Sequence, residues 1–287
     1  MGLKIRRICD ALGAEITGVG LHYPPSETIK SELRQALLDH HLIVLPGQEL
    51  SDVEHKTFCE VFGEIHAERT VPGRESNKIV GMLRVSNFHK DGILPNGEMW
   101  FHSDQCYFDV PCKCTSLHSI VAPKTGGSTR FSNCIKACEA LPAETRSQLE
   151  GLAGMNIYDY HSPNRCKVTG EHPADANRYV HPLVRFHPET AKQSLYINRL
   201  MTDHVVDMKF SEGSQLLGTL FDQLERDEFI YEHSWSEGDL IIWDNRCLVH
   251  ARTDFDPSEK RLLWRFLVAG KNPFNKNIFL PLWVKIV

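Results

Sequence analysis

The chain has 287 residues, of which 41% are hydrophobic, so it can bury a substantial core as one elaborated domain or as two small ones. Its 32 basic and 37 acidic residues give a formal net charge of −5, which argues against a general basic field for nucleic acid or an anionic membrane surface. We find no signal-peptide pattern and no apolar run of membrane-spanning length, and we therefore expect a cytoplasmic protein.

The first sixty residues alternate between predicted strands and helices. Residues 14–19 form an extended segment, Glu27–His40 has the periodicity of a helix, and Leu42–Leu45 is typical of a buried strand. Ser51 and Glu54 form a capping-box pattern that begins a second helix. The apolar residues of that helix are predicted to share one face: Val53, Phe58, Val61 and Phe62.

The segment around 84–98 has no clear periodicity. Its second half, KDGILPNG at 90–97, carries the Gly, Pro and Asn content of an exposed loop. We predict a mobile loop here, immediately before the β-rich part of the chain.

From residue 99 onward, short segments rich in β-branched and aromatic residues dominate. Strands are predicted at 99–102, 115–121, 129–131, 179–184, 195–198, 239–243, 247–250 and 261–268. Helices are predicted at 134–140, 143–152 and 212–226. This pattern predicts a single domain over 1–287, mainly β with flanking helices and a jelly-roll core, while the polar stretch around 156–180 is predicted to be an insertion or lid.

Four His-x-acid triplets occur in the chain: His66-x-Glu68, His89-x-Asp91, His102-x-Asp104 and His187-x-Glu189. Two residues separated by one lie on the same face of a strand, so such a pair can bind one metal ion. Because His89 borders the predicted loop and His187 precedes a proline and a turn, we expect both at the surface. The triplet alone is a weak signal in a chain with 15 histidines.

His102 and Asp104 lie in an apolar, strand-like stretch where a charged carboxylate needs a partner. A metal ion would be one such partner, whereas an exposed strand end with a Ser-Asp turn is the alternative. His250, at the end of a later predicted strand, could return a second imidazole to the same place. Two imidazoles and one carboxylate leave three positions open on octahedral Fe(II), which suits a 2-oxo acid together with O2.

Arg261 and Arg265 are four residues apart in the last predicted strand and so share a face. A guanidinium group inside an apolar strand needs an anion, and its planar fork pairs well with a carboxylate. That carboxylate could belong to a ligand or to an Asp or Glu on a neighbouring strand.

Motifs along nearly the whole chain carry a family resemblance. They are LGAEITGV at 12–19, HLIVLP at 41–46, FGEIH at 62–66, WFHSD at 100–104, PKTGGSTRFSN at 123–133, HPLVR at 181–185, HPET at 187–190 and WDNR at 243–246. His250, Arg261 and Arg265 follow at matching spacing. Together these segments resemble the taurine dioxygenase and 2,4-dichlorophenoxyacetate dioxygenase family of iron and 2-oxoglutarate enzymes.

The resemblance implies a double-stranded β-helix core with Fe(II) held by three ligands: His102, Asp104 and His250. It implies that the distal carboxylate of 2-oxoglutarate meets Arg261 and the Thr129 hydroxyl, and that Arg265 anchors a small anionic organic substrate. The implied reaction uses O2 to oxidise a C–H bond of that substrate, releasing succinate and carbon dioxide. Family members also imply a homodimer or homotetramer.

Two departures from the family pattern concern the substrate. Glu68 stands where taurine dioxygenases have a sulfonate-binding histidine, and Glu98 stands where they have an asparagine. Two carboxylates near a sulfonate would repel it, so the sequence argues against taurine. Aryloxyalkanoates, other sulfonates, sulfate esters and other organic acids remain candidate substrates.

Two alternative functions stay open. The same iron chemistry could give desaturation or cyclisation in secondary metabolism. A non-catalytic jelly-roll protein could use the same pocket to bind a small acid, although such a binder has no need of His102, Asp104, His250, Thr129 and Arg261 together.

Overall fold

The computed structural model describes residues 3–66, 80–93, 97–158 and 175–271. Within these ranges the strands, numbered in chain order, are β1 (Lys4–Arg7), β2 (Ala14–Thr17), β3 (Leu42–Leu45), β4 (Leu83–Ser86), β5 (Gly92–Ile93), β6 (Met99–His102), β7 (Cys114–Val121), β8 (Thr129–Asn133), β9 (Ala153–Tyr158), β10 (Asn177–Pro182), β11 (Val184–Phe186), β12 (Gln193–Leu195), β13 (Thr202–Val205), β14 (Ile230–His233), β15 (Leu240–Asp244), β16 (Leu248–Arg252) and β17 (Leu262–Val268). The helices are α1 (Glu27–His40), α2 (Asp52–Glu60), α3 (Cys134–Glu139), α4 (Ala143–Leu149) and α5 (Phe210–Leu224).

Two sheets form the body of the fold. One has eight strands in the order β1-β2-β3-β15-β7-β17-β4-β5, and the other has four in the order β14-β8-β16-β6. Successive strands β6, β7 and β8, and again β14 to β17, alternate between the two sheets, as in a jelly roll. The predicted mainly β fold with a jelly-roll core is therefore confirmed.

The two sheets share an apolar core. Alternating residues of the strands point into it, and the other residues point outward to the helices. The inward set includes Leu117, Phe131, Trp243, Leu248 and Leu263. The same alternation decides which polar side chains of β6, β7, β8, β16 and β17 reach the space between the sheets.

Helices cover the outer faces of both sheets. α1 and α2 bury Leu33, Leu37 and Phe58 in the cluster that contains Ile43 and Phe266 of the eight-stranded sheet. α3 and α5 cover the four-stranded sheet through a second apolar cluster, whose members include Ala137, Cys138, Leu217, Leu220, Phe221, Val249 and Ala251. No helix in the described ranges is both long enough and apolar enough to cross a membrane.

The predicted start of α2 is confirmed, but one residue of its buried face was predicted wrongly. The Ser26 side chain accepts a hydrogen bond from the Ile29 N–H at the start of α1, and Ser51 and Glu54 form the predicted capping box at the start of α2. Val53 was predicted to share the buried face of α2 but is 59% exposed. That prediction was wrong because the buried face of the helix has the spacing 55, 58, 59 and 62, which includes His55 and leaves Val53 outside it.

Two predicted irregular segments are partly strands. Within the segment around 84–98, β4 pairs with β17 and β5 pairs with β4, while residues 94–96 lie outside the described residues. Within the segment around 156–180, residues 156–158 and 177–180 belong to the paired strands β9 and β10, and residues 159–174 lie outside the described residues. Residues 84–86 and 92–93 are therefore held in the eight-stranded sheet, and residues 156–158 and 177–180 in a separate three-stranded sheet.

Candidate metal centre

Neighbouring strands bring two of the predicted ligands together. His102 is the last residue of β6, and it lies directly opposite His250 of β16 in the antiparallel pairing. The two imidazole centroids are 4.0 Å apart. Both residues belong to the inward-facing set, because Phe101, Val249 and Ala251 beside them pack outward under the helices.

Asp104 completes the group just beyond β6. Its Oδ1 is 4.0 Å from Nε2 of His102, and its Oδ2 is 3.8 Å from Nε2 of His250. Ligand atoms of the three buried residues all lie within 4.8 Å of one another. The structure therefore brings together His102, Asp104 and His250, which the sequence had placed in one site.

The electrostatics of this cluster suit a divalent cation. Burial opposes ionisation of Asp104, but the Arg265 guanidinium and the Thr115 hydroxyl hold the pKa of its carboxyl group below the usual value. Burial and His102 lower the pKa of His250, which keeps that imidazole neutral. Nδ1 of His102 is 2.9 Å from the Trp100 carbonyl, so Nδ1 carries the proton and the Nε2 lone pair is available for a metal. One anionic oxygen donor and two neutral nitrogen donors result.

Arg261 is buried beside the Gly126-Gly127 turn. The residue is 2% exposed, and its Nη2 lies 3.4 Å from the Gly127 carbonyl. In the described ranges no carboxylate lies within salt-bridge distance of it, and burial together with Arg252 lowers its pKa to about 9. The predicted alternative, pairing with an Asp or Glu of a neighbouring strand, is not seen there. The environment of Arg261 therefore fits an anionic ligand.

Gly127 makes room for this arginine. Its φ is +65°, and a Cβ atom there would lie 3.3 Å from Nε of Arg261 and 3.1 Å from Cγ of Pro123. A larger residue would strain the backbone and crowd the guanidinium.

Thr129 lies on the inward face of β8, and its hydroxyl oxygen accepts a hydrogen bond from Nε1 of Trp235 at 2.9 Å. A hydroxyl that accepts in this way keeps its own proton available for another acceptor. This state suits the predicted contact with a carboxylate of 2-oxoglutarate.

Arg265 reaches the metal centre itself. Its Nη1 is 3.6 Å from Oδ1 of Asp104. A β-bulge between Leu262 and Leu263 separates it from Arg261, and Phe266 next to it points outward against His55. The last strand thus directs Arg265 toward the predicted ligands.

The two acidic residues predicted to face the substrate are placed differently. Glu98 is exposed and immediately precedes β6. Glu68 lies outside the described residues. The predicted influence of both on substrate choice stays a prediction.

The prediction that His187 lies at the surface was wrong. His187 is buried, and its Nε2 is 2.9 Å from Oδ2 of Asp244. Its Nδ1 accepts from the Thr190 N–H at 3.1 Å, so Nε2 carries the proton and donates to Asp244. With Cys247 these residues form a second cluster of potential ligands, but both oxygens of Asp244 already accept hydrogen bonds from Arg246. This cluster is a hydrogen-bonded ion pair that anchors the β15–β16 turn.

Several other histidines and cysteines of the β-rich part of the chain have structural surroundings. His118, His181 and His233 contact the Gln48 carbonyl, the Phe108 carbonyl and Asp239, respectively. Cys112, Cys114, Cys134 and Cys138 are free and buried.

Three residues that support the site were not identified from the sequence. Thr115 donates to Asp104, Trp235 donates to Thr129, and Asn245 binds the backbone of Asp104. Only Asn245 carried a usable signal, because it lies inside the WDNR segment at 243–246.

A buried His-Asp-His cluster between the two sheets of a jelly roll is typical of metal-dependent oxygenases with this fold. The family model described as "Taurine catabolism dioxygenase TauD, TfdA family" matches residues 4–267, and the chain belongs to this family. It is a 2-oxoglutarate-dependent dioxygenase, as the resemblance implied.

Individual relatives agree over most of the chain. An (S)-phenoxypropionate/alpha-ketoglutarate-dioxygenase of Sphingobium herbicidovorans is 30% identical over 90% of this chain and 92% of its own length. An alkylsulfatase of Acinetobacter baylyi is 29% identical over 94% of this chain and 86% of its own length. The crystal structure of AAD-2 in complex with Mn(II) and N-oxalylglycine superimposes with a TM-score of 0.80 at 28% identity, covering 94% of this chain and 98% of that one.

Proposed function

We propose that His102, Asp104 and His250 hold Fe(II), and that the enzyme oxidises a C–H bond of a small anionic organic substrate. The observation that carries this proposal is the placement of one buried carboxylate and two imidazoles with all ligand atoms within 4.8 Å. A donor set of two histidines and one carboxylate is the pattern of non-haem Fe(II) oxygenases. Bound Fe(II) supplies the oxygen activation that couples decarboxylation of 2-oxoglutarate to substrate oxidation.

Arg261 and Thr129 bind the distal carboxylate of 2-oxoglutarate in this proposal. The support is the burial of an arginine that has no carboxylate partner in the described parts of the chain. The Thr129 hydroxyl, oriented by Trp235, supplies a second donor. A guanidinium fork with a neighbouring hydroxyl gives a carboxylate directional hydrogen bonds as well as charge.

Arg265 orients the substrate. Its guanidinium is 3.6 Å from a carboxylate oxygen of Asp104, so an anionic group bound to it would lie close to the metal ligands. Phenoxypropionate and alkyl sulfates, which appear in the names of two relatives, are organic anions of this kind. We propose an aryloxyalkanoate or a sulfate ester as substrate, with sulfonates and other organic acids as further members of the same class.

Taurine is disfavoured in this proposal because of Glu68 and Glu98. We also propose that residues 1–287 form one dioxygenase domain, since the family model spans 4–267, and that it assembles as a homodimer or homotetramer. Light scattering on the purified protein would give the number of subunits.

Succinate release tests the proposed reaction. The metal-stripped enzyme is supplied with Fe(II) or Zn(II), 2-oxoglutarate and a panel of aryloxyalkanoates, sulfate esters, sulfonates and amino acids. We expect Fe(II)-dependent succinate that rises with at least one organic anion, and Arg265→Ala should retain 2-oxoglutarate binding while losing this rise. Equal turnover with Zn(II), or stimulation by no organic anion, would contradict the proposal.

A further inference from the structure

We propose that Asn245 is a positioning residue that fixes the ligand Asp104 for metal binding. This inference rests on the proposed function, since it concerns the same metal site. It goes further because it assigns a task to a side chain that lies outside the three ligands.

The Asn245 side chain pairs with the peptide groups of Asp104. Its Oδ1 accepts from the Asp104 N–H at 2.9 Å, and its Nδ2 donates to the Asp104 carbonyl at 2.8 Å. Nδ2 also donates to the Cys112 carbonyl at 3.2 Å. An amide side chain that both donates to and accepts from one residue acts as a strand neighbour would.

Asp104 needs such a neighbour because the regular strand has already ended. β6 stops at His102, and Gln105, the residue after Asp104, has a φ of 60° in the left-handed region. A non-glycine residue with this conformation is disfavoured unless its surroundings hold it. The Asn245 amide therefore makes the hydrogen bonds to the backbone of Asp104 that a neighbouring strand would otherwise make.

Asn245 also joins the two parts of the chain that supply ligands. It lies in the turn between β15 and β16, five residues before His250, and its own N–H donates to the Lys113 carbonyl at 2.9 Å. The hydroxyl of Ser103 donates to the backbone carbonyl oxygen of Asn245 at 3.1 Å. One buried side chain therefore sets the position of Asp104 relative to the strand that carries His250.

The turn is itself firmly held. Asp244 accepts from the Arg246 guanidinium through both oxygens, at 2.8 and 2.6 Å, and from His187 at 2.9 Å. Asn245 is only 1% exposed, and both ends of its amide are used. A side chain fixed in this way can transmit the position of the turn to Asp104.

Metal affinity in the absence of turnover tests this role. The dissociation constant for Mn(II) is measured by electron paramagnetic resonance of the free ion, for the wild type, Asn245→Ala and Asn245→Ser. The serine hydroxyl is too short to meet both peptide groups of Asp104. We expect binding about 10- to 100-fold weaker in Asn245→Ala, the usual effect of removing a group that supports a metal ligand, and an intermediate loss in Asn245→Ser.

Asn133→Ala is the matched control. Asn133 is also buried, and its amide donates to the Ala11 carbonyl and accepts from Ile135 and Lys136 at the start of α3. We expect this variant to lose thermal stability but to bind Mn(II) as the wild type does. A purely structural role for Asn245 would make the two asparagine variants behave alike.

Mn(II) binding by Asn245→Ala as tight as in the wild type would overturn the inference. Failure of both Asn245 variants to fold would overturn it too, because the residue would then be needed for folding rather than for the metal. Absence of Mn(II) binding by the wild type would instead contradict the proposed function, so the two failures are distinguishable.

Discussion

The hydroxyl of Thr115 donates a 2.6 Å hydrogen bond to Oδ2 of Asp104. This contact joins the metal-binding segment to β7 at the centre of the eight-stranded sheet, next to β17, which carries Arg265. The carboxylate is thereby held by the sheet opposite to the one that carries both histidines. The metal centre is thus assembled from both layers of the fold.

Thr115→Val should weaken both the fold and the site. It leaves a buried carboxylate oxygen without its hydroxyl donor, which costs about 1–3 kcal/mol in unfolding free energy, and it should weaken Mn(II) binding about tenfold. Urea unfolding and Mn(II) titration measure the two effects. Thr115→Ser keeps the hydroxyl and should stay close to the wild type, whereas a valine variant that binds Mn(II) normally would show that this bond does not orient Asp104.

Arg261→Met should separate stability from co-substrate binding. The wild-type guanidinium is buried and its pKa is lowered to about 9, so it destabilises the protein while no anion is bound. Without 2-oxoglutarate we expect the variant to unfold with a free energy equal to the wild type or about 1–2 kcal/mol higher.

The thermal stabilisation of the wild type by 2-oxoglutarate should be absent in Arg261→Met. Arg261→Lys retains the charge but loses the planar fork, and it should show an intermediate response. Full stabilisation of the methionine variant by 2-oxoglutarate would exclude Arg261 as the carboxylate partner.

Thr129→Val tests the second contact with 2-oxoglutarate. The change removes the hydroxyl and leaves the indole N–H of Trp235 buried without its acceptor. We expect the dissociation constant of 2-oxoglutarate, measured anaerobically by calorimetry, to rise about tenfold, the effect of losing a hydrogen bond to a charged group. Thr129→Ser should bind normally, and unchanged affinity in the valine variant would remove Thr129 from the site.

The free energy of unfolding should fall as the pH drops from about 6.5 toward 4. Burial lowers the pKa of His181 to about 3 with help from Arg185, and burial lowers that of His41 to about 4. Both pKa values lie near 6.5 in the unfolded chain, so below that pH the unfolded state binds more protons than the folded state does.

Stability is therefore complete above about pH 6.5, and it falls by roughly 1.4 kcal/mol per pH unit for each of these histidines. Urea unfolding between pH 7 and pH 4 measures this slope. His181→Gln should make the slope about one proton shallower, and a free energy that stays constant over this range would show that the two imidazoles are not held neutral.

The sequence predicted the parts of the site that depend on local order. The capping box of Ser51 and Glu54 was found where expected. His102 and Asp104 also lie in one cluster, but Asp104 follows the end of β6 instead of sharing a strand face with His102. The family motifs supported His250 as the third predicted metal ligand. The edge strand β1 was missed because its residues are all exposed and lack an alternating pattern.

Contacts between distant positions escaped prediction for a physical reason. Asp104 and Asn245 are 141 residues apart, and nothing local to either residue indicates their hydrogen bonds. His187 was expected at the surface because it begins a turn. It is buried instead, where it pairs with Asp244, which lies 57 residues away in the sequence. Such contacts follow from how the sheets stack rather than from the sequence near each residue.

The most direct test of the proposed metal centre is the visible spectrum of the anaerobic protein with Fe(II) and 2-oxoglutarate. If His102, Asp104 and His250 hold iron and Arg261 holds the distal carboxylate, the wild type should show a weak charge-transfer band on addition of 2-oxoglutarate. Asp104→Ala should show none. Absence of the band in wild-type protein that is fully loaded with iron, or an unchanged band in Asp104→Ala, would contradict this account.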